Sequence, residues 1–562
     1  MLLEFEGGSR LYRNPAEVVE ARSPDEVRPA LERLRERHAA GFIGYEAGHA
    51  LERKLGPLAR TSVEGDPPLL WFGLFEGWEE APPLLDPAGA WAARPRPLVS
   101  RETYVVAAAR VREHILAGDV YQANLTFQAE VRTAGHPLAL YAALKERAGA
   151  RWGGVVFTGE HWILSLSPEL FFKLEGGRAT TRPMKGTAPA ASDPEALRND
   201  PKQRAENLMI VDLLRNDLSR VSKPGSVKVP ELFAVETYPT VLQMTSTVVS
   251  EVEDGVGPVE LLEALFPCGS VTGAPKIRAM EVIDTLEAGP RGVYTGAVGR
   301  VAPGGEAAFN VAIRTLTLKR GECVAVMGLG SGIVADSVAG DEWRECLAKG
   351  EFVETGRSFD LIETMRFDAA EGLLELERHL ARIKRSADAL GFAFDRHDAR
   401  NELQAATFAL RAGRVVRLML SRSGSIAIEV RPLPRSPEEP VEVAVVPLPV
   451  EAGDFRLTHK TSDRSFYDEA RRAAGAFEVV FVNPEGFVTE GSFTSIFLKS
   501  GGKLLTPPLA RGLLPGILRQ ALLEDGRAAE RDLRAEDLAG GFLIGNAVRG
   551  LMRARLRPPA GT

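Results

Sequence analysis

A chain of 562 residues cannot be organised around one hydrophobic core. A single core stops growing at about 250–300 residues, so roughly three or four domain-sized units are expected. With 44% hydrophobic and 26% charged residues, the composition is that of an ordinary globular protein. The 69 basic and 76 acidic side chains leave a net charge of −7. Nucleic-acid binding needs clustered Lys and Arg against phosphates, so no nucleic-acid partner is expected, and Arg549 to Arg557 reads as a solvated face. Three cysteines, Cys268, Cys323 and Cys346, contain no CxxC pair, which points to a reducing cytoplasm rather than a disulfide scaffold. No start of signal-peptide type and no run of about 18 apolar residues is found, so no membrane association is expected. The eight histidines lack HExxH or paired spacing, which argues against zinc chemistry.

Ser23-Pro24-Asp25-Glu26 reads as a helix start. Gly41 to Tyr45 and Leu69 to Phe75 read as strands, and the Pro-rich stretch 82–97 as a surface connection. Helical patterns cover Tyr104 to Leu116, Pro194 to Leu218 and Ala274 to Leu286, with strand patterns at Val155 to Phe157, Trp162 to Leu166 and Leu170 to Leu174. A second pattern begins near Gly356. It has strands at Leu361 to Phe367, Val415 to Ser421, Ala427 to Val430 and Val441 to Pro447, and a helix at Glu375 to Leu390. Arg431 to Pro440 reads as a hairpin loop, and Phe352 to Gly356 is too short for a flexible tether. Two domains follow, 1–355 (an N-terminal part of about 1–97 and a catalytic part 98–355) and 356–562, in a mixed α/β (α+β) fold class.

Seven ordered segments carry the chemistry of the first domain. They are Tyr121-Gln122-Ala123-Asn124-Leu125-Thr126, Ser167-Pro168-Glu169-Leu170-Phe171, Arg182-Pro183-Met184-Lys185-Gly186-Thr187 and Arg204 to Asp212, then Gly269 to Lys276, Asn310 to Thr315, and Gly328-Leu329-Gly330-Ser331-Gly332 running on to Ser337. As an ordered set they closely resemble the chorismate-utilising enzymes, and within them the large component of aminodeoxychorismate synthases. The resemblance implies a β-sandwich-type, anthranilate-synthase-like domain. It also implies Mg²⁺ held by Glu206 and Glu345 directly and by Glu342 through water, since carboxylates with water suit an octahedral hard cation. Arg314 would fork onto a substrate carboxylate, while Gly273, Gly328, Gly330 and Gly332 would let backbone N–H groups approach the ligand. Tyr294 and Lys276 would line the pocket, Lys276 competing with a plain helix-surface reading. A dinucleotide reading of the 328–332 glycines fails because the spacing is GxGxG, not GxGxxG.

Lys185 is the most informative residue. Related anthranilate synthases carry alanine there, whereas in aminodeoxychorismate synthases the lysine attacks the substrate ring, its pKa lowered by partial burial. Glu169 would protonate the leaving 4-hydroxyl. Gln243 replaces the histidine of many relatives, so a proton-transfer role at that position is in doubt. The chain has no Gly-x-Cys-x-Gly nucleophile turn. Ammonia must therefore come from a separate glutamine amidotransferase subunit or from solution.

From about residue 356 a second ordered set resembles the class IV aminotransferase-like family, of fold type IV, which includes aminodeoxychorismate lyase. It comprises Glu363-Thr364-Met365-Arg366, His379 to Ile383, Thr458-His459-Lys460-Thr461, Val488-Thr489-Glu490-Gly491-Ser492 and Leu513 to Arg519. Pyridoxal phosphate needs a lysine, an acid facing its ring nitrogen and donors for its phosphate. Lys460 and Glu490 would supply the first two; the helix opening at Gly516 and Ile517, aided by Arg382, would supply the third. Thr364 matches a threonine that assists protonation in lyases of the family. Ser495 stands where asparagine is common, and Leu518, where threonine is common, removes a hydroxyl from the phosphate site. The first domain's product is what such a lyase cleaves, so 4-aminobenzoate and pyruvate, on the way to folate, are the expected end. The resemblance leaves room for a homodimer through the second domain. The rivals are an anthranilate synthase first domain, against which Lys185 speaks, and a second domain that is an independent transaminase or a silent module.

Overall fold

The computed structural model describes residues 1–5, 8–237, 241–355 and 358–557. Gly356, the expected start of the second domain, lies outside them. The chain forms two compact units. One comprises Met1–Leu84, Arg94–Arg132 and Tyr141–Thr355; the other comprises Leu85–Ala93, Thr133–Leu140 and Gly356–Thr562.

The first unit is built on two large antiparallel sheets, with mixed α/β content overall. Period-2 alternation explains how they stack. In the strand His38–Ile43, Ala40 and Phe42 turn toward the other sheet and meet Leu3, Val156 and Ile163. Ala39 and Ile43 turn the other way, into a core closed by Val27 and Leu31 of one helix and Ile210, Val211 and Leu214 of another. Burial of both faces is the dominant stabilising term. The stretches 1–97 and 98–355 feed the same sheets: Leu2–Phe5 pairs with Trp152–Phe157, and His38–Ile43 with Ala297–Val301. The helix Pro24–Glu32 begins at Ser23, whose backbone N–H donates to Glu26 Oε2 at 2.9 Å.

The helical pattern of 194–218 divides into Pro194–Asn199 and Pro201–Ser219. Pro201 has no N–H to continue a helix, and Asp200 caps the new one by accepting from the Gln203 N–H at 2.9 Å.

In the second unit, a four-stranded sheet (Gly372–Leu373, Leu361–Asp368, Arg414–Leu420, Ile426–Pro432) packs against the helices Leu376–Leu390 and Arg396–Thr407. A seven-stranded sheet runs from Glu478–Val482 to Ala528–Glu530. Two expectations change here. Arg431 to Pro440 is not a hairpin loop, because the strands on either side of it belong to different sheets. The 82–97 stretch is not wholly a surface connection either. Trp91 is 2% exposed and packs edge-on against Phe359, a contact across more than 260 residues that no local pattern announces.

Two candidate active sites

The first site gathers where three strands and two helices present polar side chains. Lys185 lies in the strand Met184–Pro189, whose register against Val241–Glu251 shifts between Met184 and Thr187 around the positive-φ Gly186. The shift takes Lys185 out of the regular ladder. Its carbonyl accepts from Asn207 Nδ2 at 3.0 Å, and Asn207 in turn accepts from Ser246 Oγ at 2.6 Å. A Cβ on Gly332 would stand 3.0 Å from Gln122 Nε2 and 3.2 Å from Lys185 Nζ, so this glycine's bare face makes room for both. Burial and Lys349 lower the Lys185 pKa, while Glu206, Glu169 and Glu345 pull it back up.

Glu169 is 3% exposed and accepts from Ser270 Oγ at 2.7 Å. Burial pushes its pKa up to about 7 against the opposing pull of Ser270 and Lys185. Glu206, beside Asn207 on the helix Pro201–Ser219, is also raised, first by burial and then by Glu345 and Glu342 against the pull of two lysines. On the helix Ala339–Gly350, Glu342 accepts from Ser337 Oγ at 2.7 Å and Glu345 pairs with Lys349 at 2.7 Å. These carboxylates sense one another, and a hard dication would relieve that repulsion, so the donor chemistry fits Mg²⁺. Among the described residues, however, no three such side chains already converge on one point.

The glycines divide by role. Gly273, with φ of +149°, lies so close to the Gln122 carbonyl that a Cβ would stand 2.2 Å from it. Gly328 and Gly330 fill packing needs, since a Cβ on the first would strike the Tyr294 ring at 1.9 Å and on the second Thr126 at 2.6 Å. Among the described residues, the strand from Gly328 to Ile333 is paired with Gln122–Ala134 alone, which leaves its second edge without a strand partner. Arg314 holds the left-handed φ of +49° and donates to the Ala148 carbonyl. Gln243 accepts from Thr187 Oγ1 at 3.1 Å. Lys276 is not the helix-surface lysine that competed with a pocket role: its ammonium donates to Asp217 at 2.6 Å and to the Leu265 carbonyl at 2.7 Å in a largely buried ion pair.

Sequence reasoning gave no role to Gln122, although it lies in a quoted motif. Gln122 is 1% exposed, and among the described residues neither of its amide atoms has a hydrogen-bond partner. A buried amide left so costs about 1–3 kcal/mol. Lys349, four residues after Glu345, also donates to the Gly330 carbonyl at 3.0 Å.

The second site is a cavity of about 460 Å³ whose lining includes Lys460, Thr364, Glu490, Arg382, Gly516 and Tyr467. Lys460 Nζ donates to Thr364 Oγ1 at 3.4 Å, and burial together with Arg382 brings its pKa down to about 7. Glu363, to which no role was given, anchors the wall by accepting from Arg382 at 2.6 and 2.8 Å and from His379 Nδ1 at 2.6 Å. Burial alone would raise its carboxyl, but the Arg382 and His379 charges hold it well below the usual range. The third Arg382 bond goes to the Pro515 carbonyl at 3.0 Å, which sets the guanidinium beside the start of the helix Ile517–Glu524, with Gly516 at its N-cap. Ser495 stands against Gly516, where a Cβ would meet its Oγ at 2.6 Å, and Leu518 also lines the cavity. Glu490 accepts from the Tyr467 hydroxyl, and burial raises its pKa to about 7. A lysine, an acid and a helix N-terminus backed by a cation are the donor set that pyridoxal phosphate requires.

Residues 4–355 match the family model of chorismate binding enzymes, and residues 360–556 that of class IV amino-transferases. Aminodeoxychorismate synthase component 1 of Klebsiella aerogenes is 42% identical over 267 residues, 46% of this chain and 58% of that protein. Anthranilate synthase component 1 of Pseudomonas aeruginosa is 40% identical over 257 residues, 44% of this chain and 52% of that protein. The chain thus spans little more than half the length of these curated relatives. The crystal structure of anthranilate synthase component I from Streptococcus pneumoniae aligns with a TM-score of 0.54 at 25% identity, covering 61% of this chain and 92% of that one.

Proposed function

The chain belongs to the chorismate-binding enzymes, and from that premise we propose that its first unit aminates chorismate to 4-amino-4-deoxychorismate and its second eliminates 4-aminobenzoate and pyruvate from that product. The observation that carries the first step is the meeting of the Lys185 amine and the unpartnered Gln122 amide at Gly332, within the field of Glu169 and Glu206. Lys185 adds to the ring while Glu169, protonated below about 7, gives its proton to the departing 4-hydroxyl, which leaves as water. Ammonia then forms the bond at C4 and the lysine leaves. Glu206 and Glu345, with Glu342 through water, would hold a Mg²⁺ that neutralises substrate carboxylate charge. Gln122 and Arg314 orient the substrate, and a separate glutamine amidotransferase subunit supplies the ammonia.

In the second unit, pyridoxal phosphate when bound supplies an electron sink for the carbon that loses its proton. Arg382 and the N–H groups at Gly516 and Ile517 would hold its phosphate, and Glu490 would face its ring nitrogen. With a pKa brought down to about 7, Lys460 takes and returns a proton near neutrality. Thr364 steadies that amine through the 3.4 Å hydrogen bond. The test is product analysis from chorismate, ammonia and Mg²⁺, with and without pyridoxal phosphate. 4-Amino-4-deoxychorismate should appear without the cofactor and 4-aminobenzoate only with it, and chelation should stop the first step while sparing cleavage of purified intermediate. Anthranilate as the product would refute the amination reading.

A further inference from the structure

We propose that Tyr467 is a positioning residue that holds Glu490 as a carboxylate and so keeps the shared proton on the cofactor's ring nitrogen. This rests on the reading of the second cavity as a pyridoxal phosphate site. Tyr467 is 1% exposed and Glu490 5% exposed, and both line the cavity. The phenol hydroxyl donates to Glu490 Oε1 from the helix Ser465–Ala474. Its ring is fixed on three sides: Phe466 lies 4.3 Å away between centroids, Phe481 stands edge-on at 5.6 Å, and the Arg464 guanidinium sits 4.5 Å above the ring. A phenol held this firmly delivers its hydrogen bond at little entropic cost.

The other groups acting on Glu490 are the Arg464 charge, the Leu514 backbone N–H and the carboxyl of Glu478. Glu478 is itself occupied, accepting from Ser492, Phe493 and Thr494. Burial favours the neutral acid at Glu490, and the phenol works against it. A carboxylate that accepts a hydrogen bond from behind binds a proton less tightly in front. The proton between Glu490 and the ring then resides on the ring, whose positive charge draws electrons from the reacting carbon.

The experiment titrates the near-visible absorbance of the full-length protein loaded with pyridoxal phosphate. In Tyr467→Phe the titration should move to higher pH by about one unit, roughly a tenfold change in the proton equilibrium, because a ring without its positive charge lets the adjoining nitrogen hold its proton more tightly. Site-specific 3,5-difluorotyrosine at position 467, a stronger donor of the same shape, should move it to lower pH, which keeps the test open if the Phe variant folds poorly. In a Glu490→Gln background neither change should shift the curve further. Superimposable curves for wild type and both replacements, or an equal shift in the Glu490→Gln background, would overturn the role of Tyr467 while leaving the cofactor site intact. A wild-type protein that acquires no near-visible band would instead overturn the cofactor reading, and this inference with it.

Discussion

Lys185 and Glu169 show how burial shifts ordinary side chains toward the forms that the proposed amination needs. Burial drives the lysine toward its free amine, against the pull of Glu206, Glu169 and Glu345, and drives the glutamate toward its protonated acid, with a pKa of about 7. Lys185→Ala should lower 4-amino-4-deoxychorismate formation by at least about 10²–10⁴-fold, with chorismate affinity by equilibrium dialysis little changed, since no carboxylate contact is lost. Unaltered turnover would remove the lysine from the reaction. Glu169 also leaves a signature in stability. Its folded pKa, about 7, lies above the ordinary 4.5, so wild type loses stability as pH rises through that window, where the unfolded form ionises while the folded form still holds its proton. Glu169→Gln does not titrate. Its stability relative to wild type should rise between pH 5 and pH 8 by about 1–3 kcal/mol, read from urea unfolding, while its amination activity falls. A pH-independent difference would show that Glu169 is not buried as described.

At the scale of elements, the first site depends on how the helix Pro201–Ser219 is locked to the strand Met184–Pro189. Asn207 makes the lock, donating to the Lys185 carbonyl and accepting from Ser246 while fully buried. Its neighbour Glu206 is thereby set beside Lys185. Asn207→Leu fills the same volume but removes the side-chain donor to the Lys185 carbonyl and the acceptor of the Ser246 hydroxyl. It should cost about 1–3 kcal/mol in urea unfolding and raise the Mg²⁺ concentration needed for half-maximal amination. If stability fell with the Mg²⁺ requirement unchanged, the helix would not depend on this lock for its register.

At the scale of the whole molecule, the proposed function gives each of the two units its own chemistry, and Lys460→Ala should separate them. The variant should still consume chorismate with ammonia, because Lys185, Glu169, Glu206 and Arg314 lie in the other unit. It should accumulate 4-amino-4-deoxychorismate, lose the near-visible band of bound pyridoxal phosphate, and release 4-aminobenzoate only when a separate lyase is added. The expected loss of the second step is about 10²–10⁴-fold. Release of 4-aminobenzoate at the wild-type rate would make the second unit something other than a lyase.

Local chemistry was readable because it is written in neighbouring residues. The seven ordered segments announce the first family, Lys185 stands out where relatives carry alanine, and Lys460, Glu490, Arg382 and Gly516, which the second set of segments points to, line one cavity. Helices and strands with clear periodicity were found with shifts of a few residues, as for Lys276–Leu286 and Ile517–Glu524. What depends on distant partners could not be read this way. Whether a lysine faces a ligand or an aspartate is decided by what packs opposite, which is why Lys276 belongs to Asp217. What a glycine makes room for depends on its neighbour across the fold, which separates Gly332, beside Gln122 and Lys185, from Gly328, beside the Tyr294 ring. The unpartnered Gln122 amide, the Glu363 anchor and the Tyr467–Glu490 bond are properties of burial and long-range contact. A one-dimensional pattern holds residue type and spacing, whereas desolvation and hydrogen-bond partners exist only once the chain has closed on itself.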